Sequence, residues 1–236
     1  MGPVVVAASM SLDGFIAGPN DGPGNPLGDG GYRLFAWWWA GTERIGPDNR
    51  FKPPARSRAV VEERFDWGAV ITGRRTFDIA DGWGGHHPLG APFFLLTHTP
   101  PDRLVGPGTD GTVVYDGIAR ALAQARAFAG GRAIAVGAAN VAQQYLEAGL
   151  VDEIHIDLVP VLLGGGVRLF AERDDRPPEL ECTRVVESDG VTHLRYRVDN
   201  AAHARSAGLA HRAHVEVGHP QRGHRDPGEE VAPLPR

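Results

Sequence analysis

The sequence is short of several things that would narrow its class at once. Of its 236 residues one is cysteine, Cys182, one is lysine, Lys52, and two are methionine. A single cysteine rules out an internal disulfide framework and a zinc site built from several thiolates. Cys182 therefore reads as a small strand residue, not as a nucleophile. Arginine supplies nearly all the positive charge, yet the formal net charge is -5. A general nucleic-acid binder carries a basic footprint, so the balance argues against that class. Long apolar runs are missing as well, and none approaches the ~20 residues that a membrane-spanning helix needs. The first residues, Met1-Gly2-Pro3-Val4-Val5-Val6, carry neither the basic stretch nor the small-residue cleavage site of a secretory leader. A cytoplasmic protein with a small-molecule ligand, and with no membrane or nucleic-acid partner, is expected.

What is present reads as an α/β protein. Hydrophobic residues make up 42% of the chain and charged residues 22%, enough apolar material for a sizeable core. Val4 to Ala8 form a continuous apolar run, as a strand buried on both faces does. Phe15-Ile16-Ala17 resumes an extended path before a loop over residues 18–31. Arg56 to Phe65 is expected to be helical. Strands follow at Trp67–Thr72, Pro92–Leu96, Thr112–Tyr115 and Ala133–Val136. Ile118, Leu122, Ala125 and Phe128 recur at helical spacing, and so do Val141 and Tyr145. Asp152 to Leu163 is a long β segment in which Pro160 implies an edge position or a bend. Two last strands flank Ser188-Asp189-Gly190, a hairpin signal. Residues 32–54 carry no clear periodicity. Residues 201–236 hold five histidines, five arginines and no aromatic residue. They read as a disordered tail behind a single domain spanning residues 1–200. The expected fold has a mostly parallel central sheet, an antiparallel C-terminal hairpin and helices on both faces.

Three strand-to-helix or strand-to-loop turns could carry chemistry. Ala69 to Gly73 is a short apolar strand that runs straight into Arg74-Arg75-Thr76. A glycine, two planar donor forks and a helix start suit phosphate oxygens. Thr97-His98 ends a second strand, and Gly137-Ala138-Ala139-Asn140 opens from a third. In a parallel sheet these turns converge at the carboxyl ends of the strands, where such sheets bind ligands. Trp37 and Trp38 form either an aromatic wall on the core or on a partner subunit, or a platform for a flat heterocycle. His86 and His87 are adjacent, with no third ligand in view, so exposed loop histidines are expected rather than a metal site.

In this order the motifs resemble the dihydrofolate reductase superfamily. The nearest branch is the reductase (C-terminal) domain of bacterial riboflavin biosynthesis. The resemblance runs from Ser11-Leu12-Asp13-Gly14-Phe15-Ile16-Ala17 through Gly73-Arg74-Arg75-Thr76-Phe77 and Val136-Gly137-Ala138-Ala139-Asn140-Val141. It closes with Leu150-Val151-Asp152-Glu153-Ile154-His155-Ile156, Pro160-Val161-Leu162-Leu163-Gly164-Gly165-Gly166 and Leu169-Phe170. It implies NADPH binding and hydride transfer to a heterocycle or carbonyl compound of pyrimidine or pterin type. By position, Ala8 and Ile16 would border the nicotinamide and Arg74 would face the 2′-phosphate. Arg75 and Thr76 would meet the pyrophosphate, and Thr97 and His98 would lie beside the adenosine phosphate. Gly137, Ala138, Ala139, Asn140 and Val141 would cradle the pyrophosphate from the other side. Many relatives have Gly-Gly where this chain has Gly137-Ala138, and in dihydrofolate reductases that peptide bond is cis. The acid-bearing helix of those enzymes finds no counterpart between Gly18 and Pro54, so folate is not the preferred substrate. Asp13 is the nearest acidic candidate for catalysis; capping a turn would explain it equally well. Two further readings stay open: a nucleotide-binding sensor without turnover, and a stand-alone 5-amino-6-(5-phosphoribosylamino)uracil reductase. The resemblance also implies a homodimer.

Overall fold

The structure, a computed structural model, describes residues 1–101, 105–170 and 178–200. The chain opens with β1 (Val4–Ser11) and β2 (Phe15–Ala17). Short 3-10 turns occupy most of the stretch from Gly31 to Ser57 and lead into α1 (Arg58–Phe65). Next come β3 (Ala69–Gly73), α2 (Arg74–Ile79), β4 (Phe93–Leu96) and β5 (Gly111–Val114). α3 (Gly117–Ala129), β6 (Ile134–Gly137), α4 (Ala139–Glu147) and β7 (Glu153–Val159) follow. β8 (Val167–Arg168) pairs with β2, and β9 (Glu179–Ser188) and β10 (Val191–Asp199) close the described chain.

The main sheet has eight strands in the order β5-β4-β3-β6-β1-β7-β10-β9. β5 through β7 in that order run parallel, while β10 is antiparallel to β7 and β9 to β10. The expected α/β class and C-terminal hairpin are both present. The hairpin turns on Asp189-Gly190, with Gly190 at φ 75°, a conformation that glycine adopts without a side-chain clash. β1 sits between β6 and β7, with Val6 opposite both Val136 and Ile154. Strands paired on both sides and covered on both faces need apolar residues throughout, which is why Val4, Val5 and Val6 are all fully buried.

Alternation along the strands divides the core. Ile71, Phe94 and Val136 face α3 and α4, packing on Ala121, Leu122, Ala125, Val141 and Tyr145. Their neighbours Val70, Phe93 and Ala135 face the other way, onto Trp67 and Phe77 of the α2 side. A third cluster joins Leu34, Trp37, Trp38, Ile45 and Phe51 to Val61 of α1 and Val159. Helices therefore lie on both faces, as expected. α3 turns Ala121, Leu122, Ala125 and Ala129 inward, and it ends at Gly130, held at φ 59°.

Some local expectations change. The β segment expected over Asp152–Leu163 ends at Val159, and of the two readings of Pro160 the bend holds: β7 is paired on both sides, and the chain bends at Pro160, one residue past its end. α2 begins at Arg74, before Thr76, and is only six residues long. The unreadable residues 32–54 form an aromatic subcore on 3-10 turns, whose spacing matches neither helix nor strand periodicity. The expected tail, residues 201–236, lies outside the described residues. Among the described residues, no helix is long and apolar enough to cross a membrane.

Candidate active site

β3, β4 and β6 are neighbours and parallel, so their carboxyl ends open on one side. The turns after them wall a cleft of about 1070 Å³. That is at the upper end of ordinary small-molecule sites, with room for a ligand of dinucleotide size. Every residue expected at the cofactor lines this cleft: Ala8 and Ile16, the turn Gly73 to Thr76, Thr97 and His98, and the run Gly137 to Val141. Ala8 comes from the middle of β1 and Ile16 from β2. The structure thus brings together three turns that are far apart in sequence.

Two arginines stand on the rim, each paired with a carboxylate. Arg74 Nε contacts both carboxylate oxygens of Asp78, at 2.7 and 2.8 Å, one helical turn on. Its Nη1 donates to the carbonyls of Thr99 and Pro100 at 3.1 Å. Arg75 reaches across to the 18–31 loop, where its Nη2 lies 2.8 Å from Asp21 Oδ1 and 3.0 Å from the Asp21 carbonyl. Thr97 is buried, and its hydroxyl donates to Thr99 O at 2.8 Å, shaping the turn after β4.

On the opposite wall the Gly137–Ala138 peptide bond is cis. A side chain added at Gly137 would project into open space, so the backbone there is bare toward the cleft. α4 begins at Ala139, and the first amides of a helix have no partner within it. Such amides, with the positive end of the helix dipole, receive anions well. Beside them the Thr72 hydroxyl lines the cleft, buried and without a partner. Bare backbone, free helix-start amides, two rim arginines and an orphaned hydroxyl fit a dinucleotide phosphate.

The other half of the cleft holds a polar cluster that sequence reasoning missed. Ser9 of β1 stands opposite Asp157 of β7, and both face inward. Arg64 of α1 grips Asp157 at two points, Nη2–Oδ1 at 2.6 Å and Nη1–Oδ2 at 2.9 Å. His193 of β10 places Nδ1 2.7 Å from Asp157 Oδ1. The Ser57 hydroxyl lies 2.8 Å from both His193 Nε2 and Ser188 Oγ. Burial pushes the Asp157 carboxyl up, but Arg64 and the His193 hydrogen bond outweigh it and hold the group below the ordinary carboxylate value. The Arg64 guanidinium also lies 5.3 Å from the ring centre of Trp38 and 5.9 Å from that of Trp67. Ser9, Trp38, Arg64, Trp67 and Asp157 all line the cleft. The only sequence signal was a charged residue between apolar ones in a strand, which reads equally well as a solvated face.

Asp13 and Trp37 take the structural one of their two sequence readings, and His87 departs from its reading. Asp13 does not line the cleft: its carboxylate accepts the amides of Leu163 and Gly164, at 3.1 and 2.7 Å. Hydrogen bonds from Ser11, Gly164 and Leu163 hold it at about 2. Asp13 thus caps a turn, the bland alternative. Trp37 is core, with its indole N–H on Ser9 Oγ at 3.3 Å, and only its neighbour Trp38 reaches the cleft. His86 is exposed as expected, but His87 lies in the cleft wall with its ring edge-on to Trp83. Burial lowers its pKa to about 4.

Comparison with known proteins agrees with this architecture. Residues 103–194, less than half of the chain, match the family pattern of the RibD C-terminal domain. A Shewanella sp. PV-4 protein named for riboflavin biosynthesis superposes with a TM-score of 0.60 at 24% identity, covering 84% of this chain and 99% of that one. A pyrimidine reductase-like protein from Corynebacterium diphtheriae gives 0.53 at 16% identity, covering 84% and 92%. The diaminohydroxyphosphoribosylaminopyrimidine deaminase/5-amino-6-(5-phosphoribosylamino)uracil reductase of Thermotoga maritima gives 0.52 at 14%, covering 84% of this chain and 57% of that one. At these identities the likeness speaks to the fold. No curated protein matches the sequence. The chain thus shares the fold of these proteins, and its residues 103–194 carry the RibD C-terminal domain pattern.

Proposed function

We propose that this protein is an NADPH-dependent reductase of a small planar heterocycle or carbonyl compound. One observation carries the reading: the turns after β3, β4 and β6, with Ala8 and Ile16, line a single cleft. NADPH would supply the hydride. The amides at the start of α4 and the bare backbone at Gly137 would hold the pyrophosphate, with Arg75 and Thr76 on the facing turn. Arg74, oriented by Asp78 and the two carbonyls, would meet the 2′-phosphate, and Thr97 and His98 would flank the adenosine. Ala8 and Ile16 are small or slender enough to let a flat ring lie along β1. The ring to be reduced would then sit beside Trp38 and Trp67, which exclude water from it. The names of the superposing proteins favour a pyrimidine-type substrate of the riboflavin pathway.

The test is direct titration of NADPH by its fluorescence, followed by its oxidation in the presence of pterins, pyrimidines and quinones. Micromolar binding is expected, weakened about tenfold or more by Arg74→Ala or Arg75→Ala, as befits loss of a charge-assisted contact to phosphate. No binding, or affinity indifferent to both substitutions, overturns the cofactor assignment. Tight binding without oxidation of any acceptor points to a sensor.

A further inference from the structure

We infer that the substrate half of the cleft takes an uncharged ring compound without a phosphate group, and that Trp83 is a main determinant of this preference. Phe35, Ile79, Trp83, His87 and Leu89 line the cleft, and each keeps part of its surface accessible. They form one wall, because Leu89 packs on both neighbouring clusters, the one against which Phe35 lies and the one against which Trp83 lies. Four of the five are apolar. His87 adds a neutral imidazole, since burial lowers its pKa to about 4. Apolar surface left accessible inside a cleft favours a ligand that covers it.

The backbone bends unusually to present Trp83. Asp81, Gly82, Trp83 and Gly84 have φ of 47°, 55°, 52° and 64°, a left-handed run. Glycine adopts this conformation freely and a bulky aromatic residue does not, and strain of this kind concentrates at ligand-binding walls. The Trp83 ring meets Phe77, Phe93 and His87 edge-on and stays partly accessible.

The absence of a phosphate follows from where the charges stand. Among the described residues, four arginines line the cleft, and the single lysine, Lys52, does not. Arg64 is buried and its fork is taken up by Asp157. Arg168 lies over the Phe15 ring, 4.5 Å from its centre, and donates to the Asp13 carbonyl at 3.3 Å. Arg74 and Arg75 stand on the turn assigned to the cofactor. A phosphate carried by the substrate would therefore meet the wall of Phe35, Trp83 and Leu89 without a free cation, and desolvating it there is costly. The inference rests on the reductase reading, which commits Arg74 and Arg75 to cofactor phosphates. It deepens that reading by excluding a substrate class. A pyrimidine ring remains admissible, but a phosphorylated arm on it does not, which speaks against a stand-alone 5-amino-6-(5-phosphoribosylamino)uracil reductase.

The experiment uses the full chain, with and without saturating NADP+. Isothermal titration calorimetry compares 2-naphthol, uncharged at pH 7, with 2-naphthyl phosphate, the same ring bearing the anion. With NADP+ present, 2-naphthol is expected to bind at one site per chain, about tenfold or more tighter than the phosphate. Without NADP+ a smaller preference in the same direction is expected, because Asp78 and Asp21 then hold the two arginines. Trp83→Ala should weaken 2-naphthol about tenfold, with NADP+ affinity read in parallel as the check on folding. Ile79→Arg places a cation on the wall and should narrow or reverse the preference. Equal binding of the two compounds, tighter binding of the phosphate, binding of neither, or a preference that survives both substitutions overturns the inference. A chain that binds NADP+ and prefers 2-naphthyl phosphate leaves the reductase reading standing without it. A chain that prefers 2-naphthol and binds no NADP+ does the reverse.

Discussion

Arg64 and Asp157, 93 residues apart in sequence, meet as a two-point ion pair beneath the cleft, with oxygen–nitrogen distances of 2.6 and 2.9 Å. Side-chain exposure of 7% and 1% makes this a buried pair, and its energetics are asymmetric. Removing one partner strands a charge out of water and costs about 3–5 kcal/mol, whereas replacing both with apolar side chains is far cheaper. Arg64→Met and Asp157→Asn are each expected to fall in that range by urea denaturation. The double variant Arg64→Met/Asp157→Leu should be more stable than either single variant. A double variant whose loss is the sum of the singles would show that the two groups do not act as a pair.

The Arg75–Asp21 contact should compete with phosphate. Arg75 is 66% exposed, so the pair is worth well under ~1 kcal/mol to stability. Asp21 nevertheless occupies donors that the proposed pyrophosphate would use. Asp21→Asn is expected to leave the melting temperature within error and to tighten NADPH binding a few-fold, with a steeper salt dependence. Weaker NADPH binding in this variant would mean that the 18–31 loop must be tied down for the ligand to bind.

Asp13 should behave as a structural cap. Its carboxyl is held at about 2 against an ordinary value of 3.8. A depressed carboxylate stabilises the fold above its ordinary value, and that contribution is lost as pH falls through the folded value. The Leu163 and Gly164 amide resonances should therefore titrate with a midpoint near 2, and Asp13→Asn should remove the titration. Under the proposed reductase function, the same variant should keep hydride-transfer turnover within a few-fold of the parent. A large loss of turnover with an intact fold would return Asp13 to the active site.

His87 predicts a second pH effect of definite sign. Burial lowers it to about 4 from an ordinary 6.5. Between those values the unfolded chain takes up a proton that the folded chain refuses, so stability declines as pH falls across the window. His87→Gln should flatten that part of the melting temperature profile, and parallel profiles for parent and variant would contradict it.

Much of the frame was legible in the sequence, for physical reasons that differ by element. Val4 to Ala8, Ala69 to Ile71 and Ala133 to Val136 announce strands covered on both faces because each is apolar without interruption. Gly73 and Gly137 stand out because each ends an apolar strand just before a helix, although at Gly73 close packing on Val141 is reason enough for a missing side chain. Arg64 was hidden for the opposite reason. In Arg58-Ala59-Val60-Val61-Glu62-Glu63-Arg64-Phe65 it is one of several charged residues and reads as solvent-facing, and only the tertiary pairing with β7 puts it inside. Asp157 alternates with apolar residues in its strand, so periodicity could not say whether its face met water or a partner. Trp37 and Trp38 were visible as a cluster, but adjacent residues on a 3-10 turn point different ways, and sequence could not assign one to the core and the other to the cleft.

β1 has a consequence for how such a protein can change. Ala8 borders the proposed cofactor half and Ser9 anchors the polar cluster of the other half, so one strand is shared by both. A substitution there would touch both halves of the cleft at once. The remaining walls are divided: Gly73 to Thr76 serves one half, while α1 and the aromatic stretch before it serve the other. Divergence toward a new substrate, in evolution or in the laboratory, is therefore expected to accumulate in the 32–67 region. β1 should stay nearly constant, and cofactor preference should be adjustable independently through the β3–α2 turn.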